Sequence, residues 1–253
     1  IIEMKRELKY KLLSIDKINN DHIKRMFILM QENYDYINKD NFNNDLLNKD
    51  YIGLLIDNKS IIQGFTTYLI NPKQYFHKKY NILFSGDTVI SEDFVGTQAL
   101  AIGWCETVAF FIRKYPKKKL LWYLMSKGHR TYLYLPYFFK KYYPAIDKNI
   151  NNNHYKEIIN ECSSHIFCEN WNPKKGIVQF NDKVGQIKQQ HIKKLYSKKN
   201  RYIDFFLEKN PGFSNGDELI CMAEISSENL MRLPKLIFER SLRNQQHLDN
   251  YES

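Results

Sequence analysis

Cysteine, glycine and proline are sparse in this chain of 253 residues, with 4, 10 and 7 occurrences. No internal repeat or long low-complexity tract is visible. The cysteines include no CxxC pair, so neither a disulfide framework nor a cysteine zinc site is expected, and we interpret them as free thiols of a reducing compartment. They are Cys105, Cys162, Cys168 and Cys221.

Long apolar runs and several catalytic motifs are missing too. The longest apolar run, from Ala99 to Ile112, is interrupted by Glu106 and Thr107, whereas a spanning helix needs about 20 apolar residues. We expect no signal peptide and no membrane span, and therefore a soluble, cytoplasmic protein. The absence of GxSxG, P-loop, dinucleotide-binding and HExxH motifs disfavours the enzyme classes that depend on them, and no metal is predicted.

Aromatic side chains and positive charge are plentiful. Aromatic residues make up 15% of the sequence, and the formal net charge is +10. Such a charge favours acidic partners, including nucleic acid, a nucleotide cofactor or an acidic carrier protein. We interpret the densest basic runs, at 117–119 and 193–199, as solvated surface, because lysine is common throughout the sequence.

Hydrophobic periodicity predicts alternating strands and helices. Two β-rich runs within 51–70 flank Asp57-Asn58-Lys59-Ser60, a hairpin signature. This order predicts an α/β or α+β sheet with helices on both faces. Strands are predicted at 8–16, 51–70 (the hairpin), 81–91, 118–126, 176–180 and 217–225. Helices are predicted from Asn20 or Asp21, at 97–114, 129–144, 154–167 and 201–212, and from Ser226 or Ser227.

One strand–loop–helix unit, at 82–111, carries two informative glycines. Gly86 inside the strand is typical of a bulge or of a close backbone approach. Gly96 precedes a helix whose first N–H groups lack intrahelical partners, and such a helix end favours an anion by roughly 0.3–1 kcal/mol per charge. In the plainer interpretation Gly96 only makes a turn and Thr97 caps the helix.

This unit and its neighbours resemble the GNAT superfamily of acyl-CoA-dependent N-acyltransferases. In that family a hairpin precedes a bulged strand that ends in V-x-x-x-x-R-G-x-G-x-G/A and opens a helix. Here VISEDFVGTQALA stands in that place, with Gly96 at the first glycine and Val95 where the arginine would be. Gln98 and Leu100 occupy the next two small positions. The resemblance covers roughly 9–144.

The resemblance implies a mixed, mostly antiparallel sheet with a V-shaped splay and helices on both faces. Residues 1–253 would form a single domain with a GNAT-like core at 8–144. A C-terminal helical extension at 145–253 would complete the sheet through 176–180 and 217–225.

It also implies transfer of an acyl group from a CoA or acyl-carrier-protein thioester to an amine or hydroxyl. The acceptor would be a small molecule or a peptide, and an acidic acyl carrier protein is a possible partner. The bulged strand and its loop would bind the acyl-CoA or acyl-carrier cofactor, through Thr88, Val89, Ile90, Val95, Gly96, Thr97, Gln98 and Ala99.

Acyl transfer to an amine needs a base and a group that stabilises the leaving thiolate. Asp87 stands beside Gly86 in an otherwise apolar strand, where burial would raise its pKa; the plainer interpretation is an aspartate bonded to backbone. Family enzymes often use a tyrosine after the next strand, and Tyr132 is predicted here, with Tyr134 in the same region. The predicted substrate-contacting residues are Ser85, Tyr123 and His129.

Two other functions stay open. The incomplete glycine motif fits a GNAT-shaped binding or structural protein that has lost its cofactor. Positive charge alone supports nucleic-acid binding, which we consider unlikely, because no predicted helix gathers Arg and Lys on one face with base-reading side chains.

Overall fold

An eight-stranded mixed sheet runs through the structure, a computed structural model that describes residues 7–73, 75, 77–150, 153–180, 185–188 and 200–244. The strands are β1 (Lys9–Ser14), β2 (Tyr34–Asp35), β3 (Tyr51–Ile56), β4 (Ile62–Ile70), β5 (Tyr80–Ile90), β6 (Lys119–Ser126), β7 (Trp171–Asn172), β8 (Ile177–Val178), β9 (Gln186–Ile187) and β10 (Glu218–Ile225). The helices are α1 (Asn20–Asn33), α2 (Lys39–Leu47), α3 (Ala99–Lys114), α4 (His129–Tyr132), α5 (Tyr134–Phe138), α6 (Asn153–Phe167), α7 (Arg201–Lys209) and α8 (Arg232–Arg243).

The strand order in the large sheet is β1-β3-β4-β5-β6-β10-β8-β7. Neighbouring strands are antiparallel except for β5 and β6, which are parallel and connected through α3. A parallel pair needs such a crossover, because its strands cannot be joined by a hairpin. The predicted mixed, mostly antiparallel sheet is confirmed, and the segments predicted as strands at 176–180 and 217–225 contribute β8 and β10.

The β5 and β6 strands part towards their carboxyl ends. Their pairing stops at Ser85 and Leu124, although β5 continues to Ile90. β6 is paired with β10 from Leu120 to Ser126, so its last residues, Met125 and Ser126, keep only that partner. Among the residues that the structure describes, the final residues of β5 therefore have no strand partner on the β6 side, which is the splay that the family resemblance implied.

A bulge in β5 lies at the parting of the two strands. The register between β4 and β5 shifts between Thr66 and Tyr68, so that Thr67 faces two β5 residues, Gly86 and Asp87. A Cβ atom on Gly86 would lie 2.5 Å from the Thr67 Oγ1 atom, so a side chain there would force the two strands apart. The predicted bulge is confirmed, and it places Asp87 at the start of the unpaired segment.

Helices cover both faces of the sheet, as predicted. Along β6 the side chains alternate: Trp122 and Leu124 pack on the α3 side, and Tyr123 packs on the α6 side. On the α3 side, Phe238 of α8 is 1% exposed and joins the same core cluster. Next to β3 and β4, α1 and α2 add a separate cluster that contains Met26.

The aromatic segment at 129–144 differs from the single helix that the sequence predicts. It forms α4 and α5, separated at Leu133, and α5 ends at Phe138. The backbone of Tyr143 then exchanges two hydrogen bonds of 2.8 Å with Met222 on β10. Pro136 lacks an N–H group and so cannot donate a helical hydrogen bond. After α5 ends, the pairing of Tyr143 with β10 takes the place of helical hydrogen bonds.

The last helix also begins later than predicted. The Leu230 N–H donates to the Ser226 carbonyl, and the Met231 N–H donates to the Phe138 carbonyl. These tertiary bonds hold the chain in a turn and a bridge, so that α8 begins at Arg232. Among the described residues, no helix combines the length and apolar character that membrane crossing requires.

Candidate functional site

A cavity of about 390 Å³ lies where β5 and β6 part. We call the side formed by 88–90, 95–97 and Leu100 the first wall, and the side formed by 128–131, Leu133 and Tyr134 the second wall. The lining is completed by Asn33, Tyr34, Ile187 and Phe213. The parting of a parallel strand pair thus produces a cleft that draws on segments distant in sequence.

The Gly96 loop leaves open space in front of α3. Gly96 has φ +92°, and a Cβ built on it would have no other atom within 4 Å. The Thr97 hydroxyl accepts a hydrogen bond of 3.2 Å from the N–H of Ala99, the first residue of α3. Thr97 therefore satisfies one of the free N–H groups at the start of this helix. Thr97 also lines the cavity, whereas Gln98 and Ala99 do not, and the structure therefore does not place these two with the other predicted cofactor residues.

Asp87 is a partly buried carboxylate among four other charged groups. Burial is the largest influence on its pKa, and the carboxylates of Asp45 and Glu218 act in the same direction. The ammonium groups of Lys127 and Lys49 oppose them, and the net effect raises the Asp87 pKa to about 6. The expected rise is confirmed, and Asp87 is ionised at neutral pH but takes up a proton under mildly acidic conditions.

Lys127 contacts both a member of this charged cluster and a residue of the cavity lining. Its ammonium lies 3.2 Å from Glu218 Oε1 and 5.4 Å from the centroid of the Tyr34 ring, which lines the cavity. Burial acts to lower the Lys127 pKa, but the charges of Glu218, Tyr34 and Asp87 outweigh it and the pKa is raised. Lys127 is therefore a permanent cation here, engaged by Glu218.

Asp87 is left as the surplus carboxylate of this cluster. Lys49 pairs with Asp45 at 2.7 Å, and Lys127 pairs with Glu218. In the part of the chain that the structure describes, Asp87 has no ion pair within 4 Å. Asp87 does not itself line the cavity, but it directly precedes Thr88, which does. A partly accessible, unpaired carboxylate next to a cleft can receive a proton or a cationic group from a ligand.

The structure corrects the choice of Tyr132. Its side chain is fully buried, and its hydroxyl donates a hydrogen bond of 2.9 Å to the Pro144 carbonyl. Its ring packs against Phe205 and Phe206 of α7, away from the cavity. Tyr134, two residues further on, lines the cavity, and burial raises its pKa so that the phenol keeps its proton at neutral pH.

Ser85 and Tyr123 do not reach the cavity either. The buried Ser85 hydroxyl accepts a hydrogen bond of 2.7 Å from the Trp122 indole N–H. The Tyr123 hydroxyl is hydrogen-bonded at 2.6 Å to Ser163 of α6, on the other face of the sheet. Both are structural partners, whereas His129, the third predicted substrate residue, lines the second wall.

Arg130 and Tyr34 are cavity residues that the sequence prediction did not select. Arg130 lies in α4, within the polar segment SKGHRTY that joins β6 to this helix, and the polar character of that segment was a usable signal. Tyr34 follows α1 and reaches the site because β2 pairs with β9, a contact between distant segments. No local pattern could have indicated it.

A metal centre is not evident in the part of the chain that the structure describes. No group of three or more His, Cys, Asp or Glu side chains gathers there. A shallower hollow of about 450 Å³ at the sheet edge is formed by 169–174 and Gln179. It is built mainly from one local turn, so it brings no distant functional groups together. The basic run at 193–199 lies outside the described residues.

No family model and no curated protein matches the sequence. Solved structures that match over part of the chain include an Enterococcus faecalis protein of unknown function described as a probable N-acyltransferase, with 11% identity and a TM-score of 0.40. The match covers 54% of this chain but only 33% of that protein.

Two Escherichia coli proteins are similar to the chain in the same way. ElaA shares 15% identity over 56% of this chain and 90% of its own, with a TM-score of 0.40. YhbS, a GNAT family N-acetyltransferase solved in complex with CoA, shares 11% identity over 49% of this chain and 67% of its own, with a TM-score of 0.35. These similarities concern the fold alone, for which the strand order and the parting of β5 from β6 are the stronger argument.

Proposed function

We propose that the chain is an acyltransferase that moves an acyl group from a CoA or carrier-protein thioester to an acceptor. The acceptor group is an amine or, as the alternative, a hydroxyl. The observation that carries the proposal is the parting of β5 from β6 next to a bulge that holds Asp87. A cleft, a carboxylate with a pKa of about 6 and a phenol in the opposite wall are thereby combined.

The unpaired part of β5 suits an extended donor. Beyond Ser85 the backbone groups of β5 on the β6 side have no strand partner in the part of the chain that the structure describes. Such an edge can pair with the amide groups of an extended ligand, and the pantetheine arm of CoA or of a carrier protein contains two amides. Thr88, Val89 and Ile90 line this edge, and Val95, Gly96 and Thr97 continue the same wall.

Asp87 would act as the general base. It would take the proton that the amine nitrogen loses as the new C–N bond forms, and the C–S bond would break to release the thiolate. Tyr134 would donate a hydrogen bond to that thiolate. The thiolate would then take a proton from water to give the free thiol, and Asp87 would release to solvent the proton that it took from the amine. Lys127 and Glu218 would hold Asp87 in its charged surroundings without touching the reacting atoms.

Donor binding and turnover are the direct tests. Calorimetry with CoA, acetyl-CoA and a long-chain acyl-CoA should give saturable binding, and a donor at 100 times its dissociation constant should stabilise the fold by about 2.7 kcal/mol. Thiol release should then rise when a panel of amines is added. A donor delivered by an acidic carrier would instead associate at a rate that falls steeply with salt.

The second candidate is a GNAT-shaped binding or structural protein. The exposed carboxylates of Glu92 and Asp93 in the loop before Gly96, and the use of Thr97 at the helix start, favour it. It predicts no binding of any CoA compound and no thiol release with any amine. Those two results together would replace the acyltransferase proposal.

A further inference from the structure

We infer that Arg130, on the second wall of the cavity, supplies the positive charge that holds the diphosphate of a CoA donor. This inference rests on the proposed function and adds the residue that recognises the donor. It departs from the family pattern, in which the arginine precedes the first glycine of the loop, where this chain has Val95. The cation would reach the ligand from the opposite side of the cleft.

The first wall has no cation of its own. Between Thr88 and Leu100 the sequence contains no Lys, Arg or His, and the short turn Glu92–Phe94 adds two exposed carboxylates. A diphosphate beside Gly96 would therefore meet backbone groups of the first wall but no cation from the segment 88–100. Any compensating cation must come from another segment of the chain.

The second wall supplies that charge. Among the described residues that line the cavity, Arg130 is the only Lys or Arg, and no Asp or Glu lines it. His129 stands next to Arg130 and is a further possible donor. An anionic group in this cavity would thus meet one permanent positive charge and no carboxylate of the lining.

Arg130 is available to a ligand. Its side chain is exposed, and within the described ranges it makes no hydrogen bond or ion pair. Burial raises the pKa of Tyr34, another lining residue, to about 12, and the Arg130 charge is one of the weaker influences that oppose this rise. A guanidinium presents five N–H donors in a planar fork that matches phosphate oxygens, and Gly96 across the cleft leaves space for the ligand.

Two lysines of the charged cluster near the cavity are already engaged. Lys127 is paired with Glu218, and its side chain is 22% exposed. Lys49 is paired with Asp45, and its side chain is 14% exposed. Neither lines the cavity. A donor phosphate that used either lysine would have to break an existing ion pair, whereas Arg130 can engage a ligand without such a loss.

The test compares three ligands on four proteins. The ligands are CoA, dephospho-CoA, which keeps only the diphosphate, and pantetheine, which has no phosphate. The proteins are the unmodified chain, Arg130→Gln, Arg130→Lys and the control Arg232→Gln. Arg232 is exposed, lies outside the cavity lining and changes the net charge equally. Dissociation constants are measured by calorimetry at low and at physiological salt.

We expect Arg130→Gln to weaken binding of CoA and of dephospho-CoA by about tenfold or more. Arg130→Lys should recover part of the loss, because a lysine keeps the charge but not the fork. Pantetheine binding and the melting temperature should not change, and the control should match the unmodified chain. Salt should weaken CoA binding less in Arg130→Gln than in the unmodified chain.

Several results would overturn the inference. Equal CoA affinity in Arg130→Gln and the unmodified chain would remove Arg130 from the donor site. If Arg130→Gln weakened the binding of CoA but not that of dephospho-CoA, Arg130 would be assigned to the 3′-phosphate instead of the diphosphate. If the unmodified chain bound none of the three ligands, the proposed function itself would fail, which is a separate outcome from a neutral Arg130 substitution.

Discussion

The two walls of the cavity differ in what they offer a ligand. The first wall consists of the unpaired end of β5 and the open loop at Gly96, so it offers backbone groups and space. The second wall offers side-chain chemistry, with Arg130 as a cation and Tyr134 as a phenol. Asp87 lies at the β5 bulge, directly before the first wall and outside the cavity lining, among the charges of Asp45, Lys49, Lys127 and Glu218.

This difference shows how a cleft can keep its chemistry while its glycine motif changes. Backbone groups position an extended ligand without any particular side chain, so the first wall tolerates substitution as long as the loop stays open. Charge and hydrogen-bond donors can then come from the facing segment. Four experiments test whether the two walls and Asp87 have these roles.

The largest effect should follow from Asp87→Asn. Loss of a general base typically lowers turnover by 10²–10⁴-fold, while donor affinity should stay nearly unchanged because the residue lies outside the donor wall. Thiol release with a saturating donor and amine is the measurement. The control is Asp21→Asn, which removes an equal charge from an exposed carboxylate that lies near Lys24 and is not among the charges that act on Asp87. Unchanged turnover in Asp87→Asn would exclude it as the base.

A bulky residue at Gly96 should block the first wall. Gly96→Trp would fill the open space in front of α3, and we expect donor affinity to fall by at least about tenfold. The backbone at φ +92° is also strained for any side chain, so Gly176→Trp is the matched control. Gly176 has φ +71°, equally open surroundings and a position outside the cavity lining. Equal donor affinities in the two variants would remove Gly96 from the donor site.

The two neighbouring tyrosines should behave differently. Tyr134→Phe removes a hydrogen bond to the developing thiolate, so turnover should fall by about tenfold with little change in stability. Tyr132→Phe leaves the Pro144 carbonyl without its donor, so it should lose about 1–2 kcal/mol of stability at unchanged turnover. Chemical denaturation and initial rates separate the two. The opposite pattern would restore Tyr132 as the site residue.

The smallest effect concerns pH and stability. The Asp87 pKa is raised from 3.8 to about 6 by folding, so between these values the native state binds more protons than the unfolded state. Stability therefore falls as pH rises through this window, by roughly 1–3 kcal/mol in all. Asp87→Asn removes the penalty and should raise the melting temperature at pH 7 but hardly at pH 4.

Thermal melts of both proteins across this pH range check the expectation. The activity of the unmodified chain should change in the opposite sense, rising as pH increases through about 6 because the base must be ionised. A variant that is less stable than the unmodified chain at pH 7 would identify Asp87 as a structural partner instead of a catalytic group.

Local sequence patterns determined much of the scaffold. Alternation and turn residues indicated the hairpin at 51–70, and Gly86 indicated the bulge, because a side chain there would collide with Thr67. The strand–loop–helix order at 82–111 indicated the first wall of the cavity. These features depend on residues that are close in sequence, so the chain itself reveals them.

The second wall and the charged cluster were decided by tertiary structure. Tyr132 and Tyr134 are two residues apart, which on a helix turns their side chains by about 200°. The break at Leu133 and the packing of α7 then set which of the two faces the cavity. Tyr34 and Glu218 arrive through pairing of strands far apart in sequence. The side-chain period shows which residues share a face, but only long-range contacts decide what that face meets.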